Sequence, residues 1–333
     1  MIAVGNDYVY GKKQVKKKMK KFIKKISIFL GILAVIIIPV VWGCMKFIAP
    51  QYEQGYNASL LDKVERLKTL PEERIVLIGN SNVSFGFQSD LLEKAYGIPV
   101  VNMGLHGGLG NAFHEKMAKI NVHKGDIYVI CHHTFSDNGK IDDIELAWIT
   151  LENHYDLYSL ADKKDYSSLA MGFPTYIKKV GVLWGMGLVN QEAKKNDNAE
   201  TDACYSRDAF NEYGDVAYER EEGTFVFKEQ QLPEINEECI KRLNELNAYL
   251  ESKGATMVVA GYPIGDGEFT PAKEDFITFQ RELEQQLDCE VISDYTDYFY
   301  DYSYFYNSFL HLTTQGARMR TEQLIEDLKK IIR

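Results

Sequence analysis

Apolar residues fall into three patterns along the chain. One is unbroken: residues 26–45 (ISIFLGILAVIIIPVVWGCM) are twenty positions without a charge. As a helix that run is long enough to cross a hydrocarbon core of about 30 Å, and a proline such as Pro39 is tolerated in a membrane helix. The second pattern is the short continuous apolar block, in 74–79 (RIVLIG), 99–104 (PVVNMG), 126–133 (DIYVICHH), 255–263 (ATMVVAGYP) and 289–296 (CEVISDYT); it predicts five buried strands. The third has helical spacing. It predicts a juxtamembrane helical stalk over 46–72, carrying Leu60, Leu61, Val64, Leu67 and Leu70 and closed by Pro71. Further helices follow over 89–96 with Ser89 as cap, 111–121, 233–253 opened by Pro233, 271–287 and 313–332. Continuous apolar strands alternating with helices imply an α/β fold on a parallel sheet covered on both faces. Between 137 and 232 the rhythm gives way to a tyrosine-rich, partly helical stretch with a polar segment at 191–202. Because the rhythm resumes afterwards, that stretch reads as an insertion into one domain spanning 73–333, not as a second domain.

Charge adds direction to this picture. The net −10 hides an asymmetry, since nine lysines lie between Lys12 and Lys25 and Asp7 is the only acidic residue before Lys46. A basic tail over 1–25 ahead of an apolar run stays in the cytoplasm by the positive-inside rule, which predicts a single-pass protein of the cell membrane with everything after Lys46 extracytoplasmic. The apolar run is long for a cleaved signal, and Val41-Trp42-Gly43 before Cys44 fits a lipoprotein site only loosely. Without residues 1–45 the chain carries 29 basic and 47 acidic side chains, net −18, a charge that repels polyanions and argues against nucleic acid as a partner. The five cysteines have no CxxC or metal-like spacing, and Cys131 and Cys239 fall in apolar-patterned elements, where free cysteine packs as a small hydrophobe.

Candidate chemistry sits at the carboxyl ends of the predicted strands, where open parallel sheets bind ligands. The first strand runs directly into Gly79-Asn80-Ser81-Asn82, which is either a polar turn or a platform for the Ser81 hydroxyl. The second ends in Asn102-Met103-Gly104-Leu105-His106-Gly107-Gly108, where the Gly104 amide can approach a substrate oxygen unobstructed. The run also invites a phosphate-loop reading, but it lacks the Lys-Ser/Thr pair. His311, in Asn307-Ser308-Phe309-Leu310-His311-Leu312, precedes the last helix and can reach back to the first strand's serine. A zinc site of His106, His132 and His133 has no supporting spacing. The aromatics between Tyr295 and Tyr306 suit either a sugar groove or packing at the domain rim.

Taken together, Gly79-Asn80-Ser81, Asn102-Met103-Gly104 and His311-Leu312 with Gly316 resemble the blocks of the SGNH/GDSL hydrolases and their acyltransferase relatives, over roughly 73–333. The resemblance implies a flavodoxin-like three-layer α/β/α sandwich, with Ser81 as nucleophile, Gly104 as an oxyanion donor, His311 as general base and no cofactor or metal. A lysine-rich tail, one span and a large insertion look like the membrane-anchored members of that family. Those work beside polytopic acyltransferases on envelope glycans, including the one required for teichoic-acid D-alanylation. Two departures stand out. The third block's Asn is replaced by Cys131-His132-His133-Thr134, leaving His132, His133 or Thr134 in its place. Where the family has an Asp shortly before the histidine, this chain has Asn307-Ser308, so either Asp294, Asp297 or Asp301 reaches in, or the site is a Ser81–His311 dyad, slow or inactive. The expectation is a serine O-acyltransferase or esterase, the alternative a non-catalytic glycan-binding or scaffolding component.

Overall fold

The computed structural model describes residues 4–71, 73–152, 154–189, 203–223 and 225–332, so the polar segment expected at 191–202 lies outside the described residues. The chain divides into two units, Met1–Pro50 and Gln51–Arg333. In the first, a single helix runs from Val4 to Gly43 and ends in a wider turn, Cys44–Ile48. The basic tail is therefore continuous with the apolar run and not a separate segment. The stretch Val15–Ile48 is long and apolar enough to cross a membrane.

In the second unit, five parallel strands pair in the order β2-β1-β3-β4-β6, with β1 Ile75–Ile78, β2 Val100–Asn102, β3 Ile127–Ile130, β4 Thr256–Val259 and β6 Glu290–Val291. All five expected blocks supply a strand of this sheet. Side chains alternate between its faces. Val76, Ile78, Tyr128, Ile130 and Val259 enter one core cluster with Leu243, Leu250, Phe279 and Leu283, which come from the helices Glu237–Ser252 and Lys273–Glu284. Ile75, Leu77, Val129 and Val258 enter a second with Leu92, Leu324 and Leu328, from Ser89–Tyr96 and Thr314–Leu328.

Three expectations change. The helix Ser59–Thr69 is no free stalk: Leu60, Val64 and Leu67 are buried in the first cluster, and the second unit begins at Gln51. Ser89 does not cap its helix; Gln88 holds that position, and the Ser89 hydroxyl donates to Asp215 Oδ1 at 2.6 Å. Pro233 does not open the long helix either, because Asn236 caps it four residues before 240, accepting from Cys239 N–H at 2.8 Å.

Two short two-stranded pieces accompany the main sheet. Strands β5 Ile264–Asp266 and β7 Phe299–Asp301 pair in parallel, and β8 Phe305–Ser308 with β9 His311–Leu312 form an antiparallel hairpin. The expected insertion carries the helices Ile144–Thr150 and Tyr166–Val189. Tyr295, Tyr298, Tyr300 and Phe305 are buried, which assigns half of the eight aromatics of that stretch to packing.

Candidate active site

The chain leaves β1 through Gly79, where a Cβ would lie 2.6 Å from Val83 Cγ2 and 3.1 Å from the Cys131 carbonyl, so only glycine lets the turn close against the end of β3. A four-residue helix, Ser81–Ser84, follows at once. Asn80 caps it: its Oδ1 accepts from Asn82 N–H at 2.9 Å and from Asn82 Nδ2 at 2.7 Å. Asn82 is fully buried, donates to the Cys131 carbonyl at 3.0 Å, and receives Arg320 on its own carbonyl at 2.6 Å and on Oδ1 at 3.0 Å. Both asparagines are thus structural, and Ser81 between them stays half-exposed.

The β8–β9 hairpin brings His311. Ser308 Oγ accepts the amides of Leu310 and His311 at 3.3 and 3.2 Å, which tightens the turn and pairs Ser308 with His311. His311 Nε2 then lies 2.8 Å from Ser81 Oγ, and His311 Nδ1 2.7 Å from Asn307 Oδ1. Asn307 Nδ2 donates to the Tyr205 hydroxyl at 3.0 Å. With the amide in this orientation, Nδ1 carries the proton and Nε2 presents its lone pair to Ser81. The Phe85 ring stacks on the imidazole with centroids 4.1 Å apart. Burial drops the His311 pKa to about 3, and the charges of Arg220 and His106 push the same way. No carboxylate pairs with His311 among the described residues. Asp294 and Asp301 each cap a turn, and Asp297 accepts from Gln323 at 3.4 Å.

Asn102 and Gly104 lie behind the nucleophile turn. Asn102 Nδ2 donates to the Val83 carbonyl at 2.9 Å and to Asp215 Oδ1 at 2.7 Å, and its Oδ1 accepts the Gly104 amide at 2.9 Å. A Cβ on Gly104 would sit 2.4 Å from Ser84 N. Gly104 is therefore glycine for close packing, and its amide is committed to Asn102 and not offered beside Ser81. At the third-block position, His132 is buried and His133 half-buried. His133 Nδ1 lies 2.8 Å from Asn80 Nδ2. Asn80 Oδ1 is already an acceptor, so Nδ2 is the donor and the His133 proton sits on Nε2. Burial drops His133 to about 4. His133 also lines a groove of about 650 Å³ with Thr134, Phe225, Gln230, Tyr262 and Phe309.

Among the described residues no metal grouping involves the histidines. Among the described residues the one set of ligand atoms close enough to share an ion is Glu115, Asp137 and Cys239. Arg242 pairs with both carboxylates there, at 3.0 Å from Glu115 Oε2 and 2.8 Å from Asp137 Oδ1.

Reasoning from sequence missed what the insertion contributes. Tyr205 anchors Asn307. Arg220, buried, donates to the carbonyls of Leu312 at 3.0 Å and Phe85 at 3.2 Å, tying the histidine hairpin to the nucleophile turn. Asp215 holds Ser89 and Asn102. Only the Asn211–Gly214 turn that presents Asp215 has a readable signature, an asparagine whose Oδ1 accepts the amides of Tyr213, Gly214 and Asp215. No known family, curated protein or solved structure matches this chain.

Proposed function

We propose that this protein is a membrane-anchored serine O-acyltransferase or esterase of the SGNH/GDSL type, with a flavodoxin-like three-layer domain, that acts on acyl groups of an extracytoplasmic glycan. The observation that carries the reading is the relay Ser81 Oγ, His311 Nε2 and His311 Nδ1, Asn307 Oδ1 at 2.8 and 2.7 Å, hydroxyl and base being within reach of proton transfer. Ser81 Oγ attacks the acyl carbonyl as its proton passes to His311 Nε2. The tetrahedral intermediate expels the donor's alcohol, which takes that proton and leaves the acyl group on Ser81. A sugar hydroxyl or water, deprotonated in turn by His311, completes transfer or hydrolysis. The first N–H of the Ser81–Ser84 helix has no intrahelical acceptor and serves as an oxyanion donor. His133, one of the residues at the third-block position in sequence and lining the groove, offers its Nε2–H as a second donor. An acyl-exporting polytopic membrane partner and a teichoic-acid-like acceptor fit an anchored enzyme with its N-terminus in the cytoplasm.

Asn307 favours a second reading, a catalytically inactive glycan-binding or scaffolding component. An amide orients the imidazole but gives imidazolium no counter-charge, and the burial and Arg220 charge that drop His311 to about 3 oppose protonation further. Reaction with a fluorophosphonate separates the two. The enzyme reading expects wild type to be labelled, Ser81→Ala not at all, and His311→Ala on the order of 10²-fold more slowly. A folded wild type that takes no label leaves the binding component as the surviving reading.

A further inference from the structure

The helix Tyr166–Val189 is held to the domain by its first two turns and more. Trp148 stacks on Tyr176 with centroids 5.6 Å apart and donates its indole N–H to the Leu169 carbonyl at 2.9 Å; Tyr176 and Val180 are fully buried. Beyond Val180 that support stops. Val182 is 56% exposed, Trp184 40% and Met186 40%, and a Cβ placed on Gly181 or Gly185 would meet nothing within 4 Å. Residues 180–189 (VGVLWGMGLV) contain no charge, so this end is apolar all round, as helices are when buried in protein or lipid. Protein does not bury it among the described residues.

We propose that this end of the helix is a second membrane contact, seated in the interfacial layer of the bilayer. Three features commit it to lipid. The chain carries its own candidate span at Val15–Ile48, and connection to that span keeps the domain beside a bilayer. The nine residues 181–189 rise about 14 Å as a helix, less than half the thickness of a hydrocarbon core, so the segment dips in and does not cross. At its polar end Lys178 is exposed, suited to anionic headgroups, while Lys179 pairs with Glu145; Trp184 is the residue type that settles at the headgroup level. Such a contact would fix the domain's orientation to the membrane. It rests on the span reading of the N-terminal helix and not on the chemistry at Ser81.

Full-length protein in nanodiscs containing brominated lipid tests this, because bromine quenches only tryptophans at lipid depth. The chain has three, Trp42, Trp148 and Trp184, and Trp148 is enclosed by Phe173, Tyr176 and Tyr158. The Trp42→Phe variant should still lose emission to the brominated lipid, and Trp42→Phe/Trp184→Phe should lose none. Equal quenching in the two variants, or none in Trp42→Phe, overturns the proposal; a protein partner in place of lipid gives the latter result. Quenching of Trp42 itself, read as wild type against Trp42→Phe, reports the span separately, so the failure of one reading is distinguishable from failure of the other.

Discussion

At the scale of single residues, Asn307 decides how capable the site is. Its Oδ1 does the geometric part of a carboxylate's work, accepting from His311 Nδ1 at 2.7 Å, and omits the electrostatic part. Asn307→Asp is nearly isosteric, and the Tyr205 hydroxyl can reverse its bond to donate to the new oxygen. A negative charge at that distance raises the His311 pKa from about 3, because it favours imidazolium. If Ser81 reacts, the fluorophosphonate labelling rate should rise at least about 10-fold at pH 8. The pH profile also changes. Reaction needs neutral imidazole, so the wild-type rate is flat from pH 5 to 9, whereas the variant should slow as pH falls through its raised pKa. A variant no faster than wild type, with the same flat profile, would mean that the imidazole is not the proton acceptor.

At the scale of elements, the nucleophile turn is four residues long and cannot hold itself. Arg220 holds it from outside, with its guanidinium on the carbonyls of Phe85, Leu312, Val216 and Tyr218. Lysine keeps the charge but not the planar fork. Arg220→Lys should therefore leave buried carbonyls unpaired and cost about 2–4 kcal/mol in urea unfolding, while slowing labelling by loosening the approach of His311 to Ser81. Unchanged stability with unchanged labelling would remove Arg220 from the framework. These elements mark where sequence reading succeeds. The sheet strands were legible because each is a continuous apolar block, and Asn80, Ser81 and His311 because they stand directly at element ends. Helix starts were less so: Pro233 carries a strong local signal, yet the Asn236 side chain, bonded to Cys239 N–H, sets the boundary. The Ser59–Thr69 helix read as a stalk because its apolar stripe does not say which surface covers it. Tyr205 and Arg220 were illegible for a different reason. They meet Asn307, Leu312 and Phe85 across about a hundred residues of chain, and nothing in their own neighbourhoods encodes that contact.

For the whole molecule, the consequence of building the site in a dry edge is acid lability. His114 is buried with neither ring nitrogen hydrogen-bonded, and burial drops it to about 3; His133 falls to about 4 and His311 to about 3. In the unfolded chain each returns to about 6.5. Between pH 6.5 and the folded values the unfolded state binds more protons, so the histidine contribution to stability rises with pH across that window and is level above it. Each histidine contributes up to about 1.4 kcal/mol per pH unit below 6.5. Asp142, Glu152, Asp215 and Asp297, raised by burial, oppose this in acid, and Lys63, dropped to about 7 by burial, adds a rise of stability with pH above 7. Thermal melts of the domain from Gln51 onward should give a midpoint that falls from pH 6 to 5. His114→Leu removes one titrating group without breaking a hydrogen bond, and should flatten the acid limb by roughly a third. A midpoint that climbs on acidification, or a limb indifferent to His114, would mean that these imidazoles are hydrated in solution, and the closed setting of His311 would go with them.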